Sequence, residues 1–156
     1  MFDGLFLAST VAATAAALAA ADLAAGARIA VVGDLRLARA LAEQRHTVVA
    51  IAPDGRGLRR LLRKGKLAGV QASVGALPFA DRSLAAVVGV GAVEDDGSAP
   101  ALADWARVVV AGGALILVDR VEATEASRAA LCAGLTEIAQ RPAGRGVVTS
   151  GVVVEL

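Results

Sequence analysis

The chain has 156 residues, of which 56% are hydrophobic and only 3% aromatic, a size that fits one domain with an aliphatic core. Lys+Arg number 16 and Asp+Glu 15, so the net charge is +1, which excludes a general attraction to nucleic acid. One cysteine, one histidine and no tyrosine exclude an intrachain disulfide and a cysteine-based metal site, and leave few groups for acid–base chemistry.

The sequence predicts a single domain over 1–156 that opens with an Ala-rich helix at about 5–23 (Phe6–Leu23), with Gly26 as the residue beyond its end. Leu5–Ala21 is uncharged and mostly apolar, at the lower edge of a membrane span. Alanine drives insertion weakly, however, and no Lys or Arg precedes the segment as in a signal peptide. We read it as a helix packed on the sheet or on a partner chain of a cytoplasmic protein, with a membrane-associated or cleaved segment as the alternative.

Arg28–Pro53 reads as strand, turn, helix, strand. Ile29–Val32 is a β-branched run, Gly33-Asp34 ends it, Leu35–Gln44 has helical spacing, and Val48–Ile51 is a second run. Pro53-Asp54-Gly55 is a turn before a helix at Leu58–Lys64, closed by Gly65. Leu58, Leu61 and Leu62 share one face of that helix, and Arg56, Arg59, Arg60, Arg63 and Lys64 the opposite one.

Val70–Val74 is a short third strand and Gly75–Ser83 a loop. Leu84–Val90 is continuously apolar, as a strand buried on both faces should be. An acidic loop at Glu94–Pro100, a helix at Ala101–Val110, a Gly112-Gly113 turn and a strand at Ala114–Val118 follow. Glu122–Gln140 reads as the last long helix, Arg141–Gly146 as a loop and Val147–Leu156 as the final strand. About six strands alternating with helices predict an α/β domain, a doubly wound and mostly parallel sheet with helices on both faces.

Two stretches sharpen this. Leu77-Pro78-Phe79-Ala80-Asp81-Arg82-Ser83 with the strand after it resembles the LPF-x-D-x-S loop and fourth strand of class I S-adenosylmethionine-dependent methyltransferases. Leu102–Asp119, containing Arg107-Val108-Val109-Val110-Ala111-Gly112-Gly113, is similar to that family's helix, R-V-L-x-P-G-G turn and fifth strand. The likeness covers about residues 27–120 and implies a Rossmann-like methyltransferase fold. The single helix and strand expected after the fifth strand imply a fold shortened at its C-terminus, with an unpaired sheet edge.

The family's cofactor positions are altered. Where it has a G-x-G-x-G loop after the first strand, this chain has Gly33-Asp34-Leu35-Arg36, about two residues shorter. Ala52 stands where the ribose-binding acid is expected, with Asp54 two residues on. Ser73 is nearest the position of an adenine-side acid, and Ala85 replaces the aspartate of the S-F-D pattern. The resemblance therefore leaves Gly33, Asp34, Asp54 and Ser73 as the cofactor-binding candidates for S-adenosylmethionine, if the site functions.

The leading expectation is a methyltransferase-like protein that binds no cofactor and transfers no methyl group, acting as a protein-binding or scaffolding module. Its rival is an active methyltransferase with atypical contacts, and another ligand in the same crevice is a third reading. No catalytic residue is assigned and no metal is expected, because consecutive carboxylates such as Glu94-Asp95-Asp96 do not converge easily on one ion. Arg56, Arg59, Arg60 and Arg63 are read either as a solvated face or as an anion patch or interface, with the Glu94-Asp95-Asp96 loop of another copy as one possible counterpart. A homodimer or a complex with another protein is expected. His46 lies between helix and second strand, away from the crevice; Trp105 should pack on the sheet and Cys132 should be buried.

Overall fold

The computed structural model describes residues 4–63, 67–94 and 98–155. The expected helix end at Lys64-Gly65 and the carboxylates of Asp95 and Asp96 lie outside the described residues. The elements are α1 (Gly4–Ala20), β1 (Arg28–Val32), α2 (Leu35–Glu43), β2 (Thr47–Ala52), α3 (Gly55–Leu62) and β3 (Ala68–Gln71). They continue with β4 (Leu84–Val90), α4 (Ser98–Val108), β5 (Val109–Asp119), α5 (Ala123–Cys132), β6 (Thr136–Ala143) and β7 (Gly146–Val152).

The strands form one seven-stranded sheet in the order β3-β2-β1-β4-β5-β7-β6. The first five are parallel to their neighbours, and β7 runs antiparallel between β5 and β6. Side chains alternate between the two faces of the central strands. Ile29 and Val31 of β1 join Ala86, Val88 and Ile116 in a core under α1, α2 and α3. Ala30 and Val32 join Val87, Leu115 and Leu117 in a second core with α4 residues Leu102 and Trp105 and α5 residue Ala130. Burial on both faces explains why β1 and β4 read as unbroken apolar runs. The doubly wound, mostly parallel α/β architecture is as expected.

The C-terminal third corrects the sequence reading. Helix α5 ends at Cys132, Gly134 turns the chain at φ +83°, and residues read as helix to Gln140 form β6. The sheet therefore has the antiparallel hairpin thought to be missing, and the fold is not shortened there. β6 is an edge strand with most side chains exposed, so it lacks the alternation by which strands are read. Pro142 and a register irregularity between Thr136 and Ala139 suit that edge position. Cys132 is exposed rather than buried.

Smaller shifts have local causes. Helix α3 begins at Gly55 rather than Leu58, because the Asp54 carboxylate accepts from the Arg56 amide and starts the helix there. Strand β5 begins at Val109, and Gly112-Gly113 lies inside it instead of forming a separate turn. A Cβ on Gly113 would stand 2.5 Å from the Ala85 carbonyl oxygen, so glycine lets β5 pass close to β4. β3 ends at Gln71, short of Ser73 and Val74. Its Gly69 is the flat spot on which α3 rests, since a Cβ there would meet Leu58 Cδ1 at 2.6 Å. No helix among the described residues is long and apolar enough to cross a membrane.

Candidate functional site

In open parallel sheets a ligand crevice forms beyond the carboxyl ends of the strands, where the connections diverge to opposite faces. Here that place lies above β1 and β4. Gly33, Asp34, Asp54 and Ser73 all belong to connections leaving the carboxyl ends of β1, β2 and β3.

Each of these residues has a local task. Gly33 adopts φ +95°, and a Cβ there would lie 2.8 Å from the Val90 carbonyl oxygen at the end of β4. The turn is thus folded tightly against the neighbouring strand, in a conformation that favours glycine. Asp34 is the N-cap of α2: its Oδ1 accepts from Arg36 N at 2.9 Å and from Leu37 N at 3.1 Å. Its carbonyl accepts from Ala38 N at 3.2 Å, so the Arg36, Leu37 and Ala38 amides are satisfied by the chain itself. A Cβ on Gly57 would lie 3.1 Å from Leu35 Cδ1, which places Leu35 beside the start of α3.

These residues do not fit the methionine end of S-adenosylmethionine as a glycine-rich loop would. A helix N-terminus attracts an anionic group through free amides and a positive dipole end. The Asp34 carboxylate already holds two of those amides and brings its own negative charge.

Asp54 and Ser73 are both exposed in the connections after β2 and β3, and Ala72 N donates to Ala52 O at 3.0 Å, extending the β2–β3 pairing past Gln71. The Asp54 Oδ1 atom is engaged with Arg56 N at 2.9 Å. Across the crevice, the Val93 amide donates to Asp119 Oδ1 at 2.8 Å, and Arg120 N donates to Glu94. Asp119, 2% exposed, thereby ties the loop after β4 to the end of β5. Asp119 carries no role in the sequence reading, and Glu94 enters it only within the acidic Glu94-Asp95-Asp96 loop. Among the described residues no group of three or more metal-ligating side chains comes together.

The two motifs of the resemblance prove to be halves of one clamp. Arg107 on α4 donates to Leu77 O at 3.1 Å, Phe79 O at 2.9 Å, Asp81 Oδ1 at 2.7 Å and Asp104 Oδ1 at 2.9 Å. Asp104 Oδ2 accepts from Leu77 N at 2.7 Å. The hydrogen bond to Asp81, and then the one to Asp104, raises the Arg107 guanidinium pKa above its already high ordinary value. The LPF loop is therefore fastened to α4 by its backbone, and its motif records framework rather than ligand contacts. Complementary charges at Asp81 and Arg107 were the available sequence signal. Trp105 packs on the sheet as expected, with its indole N–H donating to Val74 O at 2.8 Å.

Among the described residues, hollows lie at the opposite edge of the sheet. One, of about 440 Å³, is lined by Leu18, Asp22, Ile29, Arg45, His46 and Thr47 among others, and places His46 at the amino ends of the strands. The other, of about 390 Å³, includes Asp81, Arg107, Val109 and Leu135. Arg56, Arg59, Arg60 and Arg63 are all exposed along α3 and its C-cap, away from both hollows.

No protein-family model matches the chain, and no curated protein matches it. Solved structures do. The methyltransferase complex with the Trm112 methyltransferase activator of Haloferax volcanii gives a TM-score of 0.77 at 15% identity, covering 92% of this chain and 89% of that one. A SAM-dependent methyltransferase of Thermotoga maritima gives 0.71 at 16% identity, covering 95% and 91%. Another from Aquifex aeolicus gives 0.68 at 14% identity, covering 99% of this chain and 100% of that one. The chain has the Rossmann-like fold of class I SAM-dependent methyltransferases.

Proposed function

We propose that this methyltransferase-fold chain transfers no methyl group and serves as a protein-binding module. One observation carries the reading: the Asp34 carboxylate sits on the first amides of α2, at the turn where the fold's cofactor loop would open. The Gly33 turn pressed on the Val90 carbonyl supports it. So does Ala52, a side chain with no polar atom, at the end of β2. The intact sheet and two aliphatic cores give a stable scaffold whose surface can be used for binding. The Haloferax volcanii structure is itself a complex of a methyltransferase with a second protein, which lends weight to a protein partner here.

A second reading is an active S-adenosylmethionine-dependent enzyme with unusual contacts through Gly33, Asp54 and Ser73. It is favoured by the exposure of Asp54 and Ser73 in the connections leaving the carboxyl ends of β2 and β3. Thermal unfolding with and without S-adenosylhomocysteine separates the two readings. A ligand at 100 times its Kd adds about 2.7 kcal/mol of stability. The module reading expects an unchanged midpoint at millimolar ligand, and a clear upward shift supports the enzyme.

A further inference from the structure

We propose that the arginine face of α3 docks on the acidic rim at the carboxyl ends of β4 and β5 of a second copy of this chain. The proposal rests on the protein-binding reading above and names its partner.

The near-zero net charge hides a segregation. Residues 35–66 hold nine of the 16 Lys+Arg but only two of the 15 Asp+Glu, a net charge of +7; the remainder carries −6. The basic share is concentrated on α3. Arg56, Arg59, Arg60 and Arg63 are exposed, and none of them is in an ion pair among the described residues. Their leucine counterparts, led by buried Leu58, fasten the helix to β3 and leave the arginines outward. Four guanidinium groups along about two turns repel one another, so a carboxylate-bearing surface is the partner that relieves them.

Such a surface exists on the same chain. Glu94 and residues 119–125 hold four acids and one arginine. Glu94, Glu122 and Glu125 are exposed, and the bond from the Arg120 amide to Glu94 holds the two connections together. Strands β2 and β1 lie between β3, on which α3 rests, and β4, where the rim begins, and α3 and α5 lie on opposite faces. One copy therefore cannot close the contact on itself. The association is between copies, one copy's α3 on another copy's rim, either reciprocally in a two-fold dimer or head to tail in a ring or chain.

Light scattering with size exclusion tests this on the full chain in low salt. The expected result is a mass above the 15.5 kDa monomer that falls as salt rises and shortens the screening length. R59E/R63E and E122Q/E125Q should each be monomeric. Mixed, they should form a one-to-one dimer, since each retains the surface the other lost; R59Q/R63Q replaces the first variant if circular dichroism shows it unfolded. A monomeric wild type, variants that keep the wild-type mass, or a mixture that stays monomeric each overturn the proposal. Binding of S-adenosylhomocysteine with intact complementation would overturn the non-catalytic reading alone.

Discussion

Trp105 stands directly over Gly89: a Cβ added at Gly89 would lie 2.0 Å from Trp105 Cζ3 and 2.5 Å from Cη2. The indole covers β4 because β4 leaves a bare backbone there, and its N–H reaches on to Val74 O at 2.8 Å. Gly89 is buried mid-strand without an unusual backbone angle, so the pair is a packing arrangement rather than a turn. Gly89→Ala is expected to destabilise the protein by about 3 kcal/mol, the upper end for overpacking. Trp105→Ala is expected to cost about 3–5 kcal/mol through the cavity left behind. Urea unfolding followed by circular dichroism measures both.

The Arg107 clamp makes a different forecast. Arg107→Ala removes donors from two backbone carbonyls and two carboxylates, so a loss of about 1–3 kcal/mol is expected. Amide exchange should quicken chiefly at Leu77, whose N–H is held by Asp104, with β1 and β2 little changed. Arg107→Lys should rescue only part of the loss, because an ammonium cannot reproduce the planar fork. Uniform quickening across the sheet would contradict a local clamp.

The Arg82–Glu155 pair, 2.7 Å apart, carries a pH signature. Its hydrogen bond to Arg82 and the attraction of that charge hold the Glu155 carboxyl below its ordinary value of 4.5. A lowered folded-state pKa gives a contribution that is present above the unfolded value and is lost as pH falls through the folded one. The difference in unfolding midpoint between wild type and Glu155→Gln should therefore be constant above about pH 5 and shrink as pH falls below 4.5. A difference that grows on acidification would contradict the pairing.

The turn residues at the crevice should behave as structural groups. Asp34→Ala loses the N-cap of α2 and is expected to cost about 1 kcal/mol. Gly33→Ala must place a Cβ against the Val90 carbonyl at φ +95°, with an expected cost of about 1–3 kcal/mol. Chemical denaturation of the two variants checks this. An Asp34→Ala protein as stable as wild type would remove the capping role.

These assignments show which features a linear sequence carries. Leu84–Val90 was legible to the residue, because a central parallel strand is apolar on both faces. Asp34 was legible as a cap, since its type and place before a helical pattern are local information. β6 was not. Thr136, Glu137, Ala139 and Gln140 are exposed on an edge strand, and their composition suits a helix as well. Gln140 shows what decides it: its side chain donates to Ala123 O at 2.6 Å and to Thr149 Oγ1 at 3.1 Å, contacts that exist only in the folded hairpin. The depleted turn at Gly33 could be read from missing glycines, but its closure against Val90 is a long-range fact. Asp119 likewise reads as the polar end of a strand until Val93 is placed beside it.

A protein-binding module of this fold needs no cofactor, so the crevice above β1 and β4 is expected to be closed to S-adenosylmethionine. Calorimetric titration of the wild-type chain with S-adenosylhomocysteine, at protein concentrations of tens of micromolar, addresses it most directly. Only heats of dilution are expected. Saturable one-to-one binding with a micromolar Kd would contradict this expectation and return Gly33, Asp54 and Ser73 to the role of cofactor contacts.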